Sequence, residues 1–479
     1  MKKNNYYWLM GCSWVLIFAT VAQSQILEKG FFNFNTVSTE RISGNSVTDV
    51  VFDGQNLWVG TGAGLCKTSD GGNTWINFDV SDGIGRGGIS AIAATDSIVW
   101  VATAYDTLIP NVGRLSAGGG LSYSTDGGQD WTHITQPGVT NVQNITYDIA
   151  ILDSTVWITS WGGGLKKSDD QGKTWIDVAP DSFFFDPYRH LNHRAFSVLV
   201  VGKTLWVGTA GGINRSTDGG KTWTNFRHQN QEQPISGNFV VALGHQNYQG
   251  RNLIWAATIE AEDPDEFRAV SISEDEGYSW RITLRGKFAH NFAFDDSVAY
   301  VVTDKGLFKS LDGGETWTDF PQIIDRETGQ KMWTNEFYSV AVTPEHVLWV
   351  GSSDGLACSN DGGDTWKIFR TYQPITPKTA VKTYAYPNPF SPMRHNIYQN
   401  NGYVRFHYAS PRTTQATVKI YDFGMNLVRT FTHSARNGQN DAVWDGKNNE
   451  GETVANGVYF FKIEISGQEP MWGKIIVMD

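Results

Sequence analysis

The sequence predicts an all-β protein: a seven-bladed β-propeller followed by a small β-sandwich. A short phrase, Ser/Thr-x-Asp-x-Gly-x-Thr/Ser-Trp, occurs seven times with minor variation, and its copies lie about 37 to 57 residues apart. Such a period is typical of propellers and solenoids, in which each unit needs its neighbours to bury its faces. The 19 tryptophans and 51 glycines also suit many short strands joined by tight turns. The seven copies are centred on Asp70, Asp126, Asp170, Asp218, Asp275, Asp312 and Asp361.

Each repeat predicts four short strands. A Leu-Trp-Val-Gly-Thr stretch at 57–61 has a counterpart in the other units, and an apolar stretch such as 47–52 precedes most copies. A third stretch, as at 64–65, leads into the aspartate motif, and a fourth follows it, as at 75–78. Four strands in each of seven units make a seven-bladed propeller, which we place at residues 46–372.

The aspartate motif has a structural interpretation. A short aspartate side chain accepts hydrogen bonds from nearby backbone N–H groups and so holds a tight turn. Gly72 and its equivalents permit a positive φ, and Trp75 and its equivalents can wedge against neighbouring strands. In the second copy Asp130 stands where threonine is usual. We therefore expect these aspartates to hold hairpins and not to catalyse a reaction.

The N-terminal segment, residues 1–24, predicts a secretion signal, because two lysines precede an apolar run and small residues follow it. An uncleaved membrane anchor and a lipoprotein signal ending at Cys12 are the alternatives. After signal removal we expect no transmembrane segment. Residues 25–45 are a lead-in that can pair with the propeller.

Two cysteines remain after signal cleavage, Cys66 and Cys358. They occupy nearly matching places in the first and last repeats, which a closed ring makes neighbours. A disulfide is conceivable, but packed sheets lie about 10 Å apart and bonded cysteines need Cα atoms within roughly 7 Å. We expect two buried thiols.

Net charge and topology restrict the kind of partner that the protein can bind and the face on which a site can lie. A net charge of -11 argues against a nucleic-acid partner. If the strands of each blade run up and down outward from the axis, the aspartate turns lie on one face and the long insertions on the other. Long loops gathered on one face of a rigid scaffold are where binding usually resides. These insertions are 104–120, 181–194, 227–237, 260–268 and 321–335.

One insertion, 183–194, combines aromatic and cationic side chains that suit an aromatic, sugar or anionic ligand. Its phenylalanines can instead fill the gap between two blades. Two histidines at metal-site spacing do not by themselves make a site, so we expect no metal and no cofactor. Trp161 lies near the mouth and is either a stacking platform or a packed residue. The candidate ligand-binding residues here are Trp161, Tyr188, Arg189, His190 and His193.

An acidic run at 260–266 supplies two further candidates, Glu260 and Asp263. Its carboxylates suit glycoside hydrolysis or Ca²⁺ binding, and the alternative is a solvated acidic loop. Catalysis needs two carboxylates that face each other across a cleft, which no sequence pattern shows. No catalytic residue is assigned.

The seven aspartate motifs closely resemble the Asp box, or BNR repeat, of sialidases, sortilin-type receptors, xyloglucanase propellers and photosystem II assembly-factor propellers. The resemblance implies the fold and leaves the function open, since these families include hydrolases and binders. Sialidases usually carry Arg-Ile-Pro near the first strand, where this chain has Arg41-Ile42-Ser43. Xyloglucanases of this type pair two propellers, and the repeats predict one.

After a predicted linker at 373–382, residues 383–479 contain enough short alternating strands for a small Ig-like β-sandwich. Asn388-Pro389-Phe390, Trp444-Asp445-Gly446 and Gly457-Val458-Tyr459 resemble the Ig-like domain of flagellar hook-capping proteins and the related sorting domains of type IX secretion cargo. The resemblance implies export across an outer membrane and surface attachment. A passive interaction module is the alternative.

Together these observations predict a secreted or cell-surface binding propeller of a Gram-negative-type bacterium. It recognises a protein or glycan through the loop-rich face and meets the export machinery through its C-terminal domain. A carbohydrate-active hydrolase that uses carboxylates on the same face is the alternative.

Overall fold

The computed structural model describes residues 39–181, 184–373 and 382–479, so the predicted secretion signal lies outside the described residues. These residues form two units. The first contains 39–326 and 336–371, and the second contains 327–335 and 372–479, apart from the gaps just given. None of the helices in the described ranges is long and apolar enough to cross a membrane.

The first unit is built of seven antiparallel sheets of four strands, each formed by consecutive strands of the chain. The first four blades contain β1 (Val47–Phe52), β2 (Leu57–Thr61), β3 (Gly64–Thr68), β4 (Ile76–Phe78), β5 (Gly88–Ala94), β6 (Val99–Ile109), β7 (Gly113–Ser124), β8 (Thr132–Ile134), β9 (Thr146–Leu152), β10 (Thr155–Ser160), β11 (Gly164–Ser168), β12 (Ile176–Val178), β13 (Ala195–Val201), β14 (Thr204–Thr209), β15 (Gly212–Ser216) and β16 (Thr224–Phe226). The last three contain β17 (Phe239–Tyr248), β18 (Arg251–Ile259), β19 (Ala269–Ser273), β20 (Arg281–Thr283), β21 (Ala289–Asp295), β22 (Val298–Thr303), β23 (Gly306–Ser310), β24 (Thr318–Asp319), β25 (Phe337–Val342), β26 (Leu348–Ser352), β27 (Gly355–Ser359) and β28 (Lys367–Phe369).

The seven sheets close into a ring. The first strand of each blade packs against the first strand of the next, and β1 packs against β25. The core consists of apolar layers between adjacent blades, and the repeated strand tryptophans, such as Trp58, Trp100 and Trp157, are fully buried in them. The predicted seven-bladed propeller is confirmed.

Within the described residues the strands of the first and last blades belong to separate sheets, and the ring closes through side chains and a backbone hydrogen bond. The Gly355 N–H donates to the Asn45 carbonyl at 2.7 Å. Asn45 donates its side-chain N–H to the Thr371 carbonyl at 2.9 Å and accepts the Thr371 N–H at 2.7 Å. Cys66 and Cys358 lie in one apolar cluster at this seam and are both free. Burial raises the pKa of each thiol to about 11. The prediction of two buried thiols is confirmed.

The aspartate turns have the predicted hydrogen bonds. In the fourth turn, Thr222 donates its N–H to Asp218 Oδ1 at 2.9 Å and its hydroxyl to Oδ2 at 2.7 Å, and the Ser216 hydroxyl donates to Oδ1 at 2.8 Å. Bonds from the Thr222 hydroxyl and backbone hold the pKa of Asp218 well below its usual value. In the second turn, Asp130 replaces the threonine and donates only its N–H to Asp126, at 3.0 Å. The turns are therefore held by their aspartates.

The innermost strand of every blade carries one β-bulge near its start. Bulge residues of successive blades touch, as Tyr147 and Phe196 do at 5.4 Å between ring centroids and His290 and Tyr338 do at 5.7 Å. Burial lowers the pKa of His290 to about 3, so this imidazole is neutral at ordinary pH. The bulge residues are Thr48, Ser90, Tyr147, Phe196, Val241, His290 and Tyr338.

Two half-buried carboxylates beside these bulges join neighbouring blades. Asp49 Oδ2 accepts the N–H of Ile92 on β5 at 2.8 Å, and Asp148 Oδ2 accepts the N–H of Val198 on β13 at 2.9 Å. Burial outweighs these bonds and raises the pKa of Asp49 to about 6 and that of Asp148 to about 7. Both therefore titrate near neutral pH.

The second unit contains a β-sandwich of one three-stranded and one four-stranded sheet, in the orders β29-β30-β33 and β32-β31-β34-β35. Phe406 on β30 stacks on Phe461 of β34 at 4.1 Å and so joins the two sheets. Residues 374–381 of the predicted linker lie outside the described part of the chain. The strands are β29 (Thr383–Tyr386), β30 (Val404–Ser410), β31 (Thr414–Tyr421), β32 (Leu427–Ala435), β33 (Gly438–Trp444), β34 (Gly457–Ile465) and β35 (Met471–Val477).

We expect the propeller to be more stable at pH 5 than at pH 8. A carboxyl whose pKa is raised on folding contributes its full stabilisation when the pH is below the pKa that it has in the unfolded chain, 3.8. That stabilisation is lost as the pH rises through the pKa values of the folded protein, about 6 to 7. One pKa unit corresponds to about 1.4 kcal/mol, so the effect is on the order of a few kcal/mol. Thermal unfolding at both pH values should show a smaller difference in Asp49→Asn and Asp148→Asn. An unchanged difference in both variants, matching the exposed control Asp96→Asn, would contradict this.

Asn45→Ala should weaken the ring seam. The substitution leaves the N–H and carbonyl of Thr371 without their side-chain partner, at a cost of about 1–3 kcal/mol in the free energy of unfolding. Urea denaturation followed by tryptophan fluorescence measures this. Gln55→Ala, at an exposed turn position, is the control, and an equal effect of both variants would show that the seam does not depend on Asn45.

Candidate functional site

The loop-rich face of the first unit is most built up at blades 2 and 3. In each up-and-down blade the connection between its second and third strands leaves from the face opposite the aspartate turn. In blade 2 the predicted insertion 104–120 is a hairpin that extends β6 and β7, with pairing as far as Ile109 and Gly113. The insertion is thus an ordered projection of the blade.

Backbone hydrogen bonds join this hairpin to its neighbours. Gly118 donates its N–H to the Asn141 carbonyl, and Gln143 donates its N–H to the Ser116 carbonyl, both at 2.8 Å. Gly162 in the blade 3 turn donates to the Gln143 carbonyl at 3.0 Å. The hairpin, the connection from blade 2 to blade 3 and the Trp161 turn therefore form one continuous surface.

Large apolar side chains are exposed on this surface and on the next connection, 179–194. We call these five residues the apolar rim. Their exposed fractions range from 53% to 105%, high for aromatic and aliphatic side chains that a rigid backbone presents together. The rim consists of Leu108, Val112, Val139, Phe184 and Tyr188.

Trp161 supports the rim from below. Its ring is half-buried and meets the Tyr188 ring edge to face, with 5.5 Å between the ring centroids. The Arg194 guanidinium lies over the Trp161 ring, 5.1 Å from its centroid. The Arg194 side chain also donates to the Pro187 carbonyl at 2.6 Å and to the Tyr188 carbonyl at 2.8 Å. These contacts fix the backbone that presents Tyr188.

The other residues of the connection 184–194 are either exposed or packed against their neighbours. Arg189 and His190 are exposed, and Arg189 lies 3.7 Å from the Asp186 carboxylate. The expectation that the phenylalanines fill a gap between blades is wrong for Phe184, whose side chain is 88% exposed. Phe185 is partly buried and stacks on His193 at 5.7 Å, and Phe183 lies outside the described residues.

His193 is buried and has a structural role. A backbone N–H can only donate, so the bond from Asp186 N to His193 Nδ1, at 2.9 Å, requires Nδ1 to be the acceptor. Nε2 then carries the proton and donates to Asp181 at 2.8 Å. With both ring nitrogens bonded, the imidazole holds the segment closed. The described ranges contain no group of three or more side chains suited to a metal ion.

The acidic run forms a separate cluster on blade 5. Glu260 pairs with Arg268 at 3.4 Å, and Asp263 accepts bonds from the Asp265 N–H and the Gln229 amide, both at 3.0 Å. The Asp265 backbone bond is the main reason why the pKa of Asp263 is lowered. A lowered pKa favours a charged turn residue over a general acid.

A third acid of this run is buried. Glu266 accepts bonds from the Ala261 N–H at 2.6 Å and from the Asn238 amide and N–H at 2.5 and 3.2 Å. It therefore ties the blade 5 turn to the connection before it. The sequence pattern did not distinguish the buried Glu266 from Glu260, because Asn238, the hydrogen-bond partner of Glu266, lies 28 residues away in the chain.

The structure also reveals residues that the sequence did not single out. The Arg86 guanidinium lies 4.4 Å from the Tyr105 ring, and the Tyr105 hydroxyl accepts a bond from the Asn141 amide at 2.6 Å. At the start of β25, Glu336 accepts a bond from the Tyr338 hydroxyl at 3.0 Å. Burial, together with the charge of Asp304, raises the pKa of Glu336. The one sequence feature that could have pointed to Tyr105 is the insertion that follows the Val-Trp-Val-Ala-Thr strand and contains this tyrosine.

One family model matches part of the C-terminal domain. Residues 398–469 match the FlgD Ig-like domain. The search among curated proteins found no match.

Solved structures match the propeller. The GH74 xyloglucanase of Xanthomonas campestris is 16% identical with a TM-score of 0.50, and the match covers 68% of this chain and 54% of that one. This chain thus spans about half the length of that enzyme. The GH74 enzyme of Niastella koreensis is 14% identical with a TM-score of 0.53, covering 93% of this chain and 75% of that one.

PorZ, described as a bacterial surface component of the type IX secretion system of Porphyromonas gingivalis, is 15% identical, covering 91% of this chain and 66% of that one. Its TM-score of 0.38 is too low to carry an argument. At 14% to 16% identity the two GH74 enzymes demonstrate a shared fold and nothing further.

His193→Ala should loosen the connection 184–194 while His190→Ala should not. Loss of two hydrogen bonds from a buried ring costs about 2 kcal/mol of local stability, which corresponds to a roughly tenfold or greater rise in tryptic cleavage after Arg189. Limited proteolysis with mass spectrometry measures the rate. Equal rates in the two variants would contradict the structural role of His193.

Proposed function

We propose that this protein is a secreted or cell-surface binding propeller that recognises a protein or glycan through the apolar rim of its loop-rich face. The supporting observation is the rim itself, five strongly exposed apolar side chains on hydrogen-bonded backbone. Monomeric proteins rarely expose such clusters unless they bind something. Tyr188, whose ring meets Trp161 edge to face, has Arg189 and His190 exposed beside it, and these groups suit a sugar ring or an anionic partner.

The remaining parts of the proposal come from the sequence and the C-terminal domain. The signal at 1–24 supports secretion. The sorting-domain motifs support export across an outer membrane of a Gram-negative-type cell, followed by attachment there. The match of residues 398–469 to the FlgD Ig-like domain is consistent with that role. We assign the aspartate turns to the Asp-box class on their motif.

Glycoside hydrolysis is the second candidate, and Glu336 is the observation that favours it. A general acid needs a raised pKa, and Glu336 has one, whereas Asp263 does not. Glu260 and Asp263 are thus proposed as ligand contacts at most. The shared fold with GH74 enzymes is compatible with either candidate.

The test is a glycan array probed with the secreted protein, with bound glycans then checked for cleavage. We expect binding without cleavage. Tyr188→Ala combined with Val139→Ser should weaken binding about tenfold or more, as expected for loss of a central aromatic contact. Leu311→Ser, 64% exposed on the opposite face, should bind like the unmodified protein.

Two outcomes would change the assignment. Equal loss of binding in the rim variant and in Leu311→Ser would remove the rim as the site. Cleavage of a bound glycan that Glu336→Gln abolishes would replace binding by hydrolysis.

A further inference from the structure

In the described residues, the second unit is assembled from two separate stretches of chain. Besides 372–479 it contains residues 327–335, which the sequence places between β24 and β25. We call residues 327–335 the strap. A piece of chain that precedes the last blade therefore belongs to the C-terminal unit.

Trp333 is the aromatic anchor of the strap. Its ring lies 4.4 Å from the Tyr403 ring and meets the Tyr398 ring edge to face at 6.1 Å. The Lys331 ammonium lies over the Trp333 ring, 5.9 Å from its centroid. The neighbouring Met332 is fully buried. Paired aromatic rings of this kind are typical anchors of specific interfaces.

Backbone bonds fix the strap along its length. Asn335 donates its N–H to the Ile397 carbonyl at 2.7 Å. Arg405, itself 3% exposed, donates to the Lys331 carbonyl at 3.2 Å. The Arg436 guanidinium donates to the Glu327 carbonyl. The sandwich thus contacts the strap at its start, middle and end.

A second segment, Tyr372 and the first linker residue Gln373, contacts the same domain. The Tyr372 ring stacks on His407 at 4.2 Å, and its hydroxyl donates to Asp441 Oδ2 at 2.7 Å. Gln373 donates its N–H to the Tyr384 hydroxyl at 2.9 Å. Tyr372 and the strap lie on one polypeptide, so each raises the effective concentration of the other at the sandwich.

We propose that the C-terminal sandwich carries a binding surface for these two segments of its own chain and stays bound when the backbone is cut in the linker 373–382. Such a cut breaks a covalent connection and removes none of the contacts above. Proteolysis in the linker alone therefore does not release the domain. Release requires that a partner displace the strap. This inference does not depend on what the propeller binds.

The experiment is a specific protease site placed in the linker of the full chain. After complete cleavage, size-exclusion chromatography at micromolar concentration should show the two fragments eluting together. Trp333→Ala combined with Tyr372→Ala should separate them. Trp472→Ala is the matched control, because that tryptophan is 48% exposed and contacts Tyr421 on the sheet of β35.

Hydrogen exchange on the chain that carries the protease site and no other change provides a readout that needs no aromatic substitution. The amides of 327–335 should remain as protected after cleavage as before it. Separation of the unmodified fragments, loss of this protection, or co-elution of the fragments of the Trp333→Ala, Tyr372→Ala variant would each overturn the proposal.

Discussion

The ring depends on a contact that only glycine allows. The glycine two residues after each turn aspartate has a positive φ and rests against the blade before it. A Cβ on Gly72 would approach Phe369 of the last blade to 2.7 Å, and one on Gly363 would approach Phe320 of the sixth to 2.0 Å. An aspartate turn is therefore an inter-blade joint as well as a hairpin. Because the joint of the first blade rests on the last, the same contact that links successive blades also closes the ring. Cations strengthen these joints, as where Lys67 on β3 donates to the Gly127 carbonyl of the next turn at 2.8 Å.

These joints leave the opposite face free to vary. One face of the ring is fixed by seven equivalent turns, and the innermost strands are tied by bulges and by Asp49 and Asp148. The connections on the other face therefore differ in length without changing how the blades pack. Where such a connection is ordered, it is held by its own local bonds, as His193 holds 184–194 and Glu266 holds the blade 5 turn. The rigidity of the apolar rim therefore comes from the joints between blades and from the local hydrogen bonds of the connections.

The features that repeat were predictable, and those that do not were not. Seven motif copies predicted the number of blades, and the strand phrase predicted their four strands, because both recur with the same chemistry. The inner-strand bulges repeat too, but their residues range from Thr48 to Tyr147 to His290, so side chains give no signal of them. The roles of His193 and Asp263 depend on partners up to 34 residues away in the chain. The strap was predicted only as part of a loop, since its aromatic partners lie in another domain of the sequence.

Residues that hold the scaffold and residues available for function differ in the same way, because the first belong to the repeat and the second do not. Carboxylates in the aspartate turns accept several hydrogen bonds, have lowered pKa values and are committed to the fold, which leaves little chemistry for them. Side chains that stand outside the repeat are different, because the ring does not need them: the Tyr105 hairpin, the exposed Phe184 and Tyr188, the half-buried Glu336 and the strap. A propeller that needed only to be stable could replace each of these with a short turn like Asp53-Gly54-Gln55-Asn56. Their presence on ordered backbone, at two places that serve different domains, supports both proposals, that of binding on the loop-rich face and that of strap binding by the C-terminal sandwich.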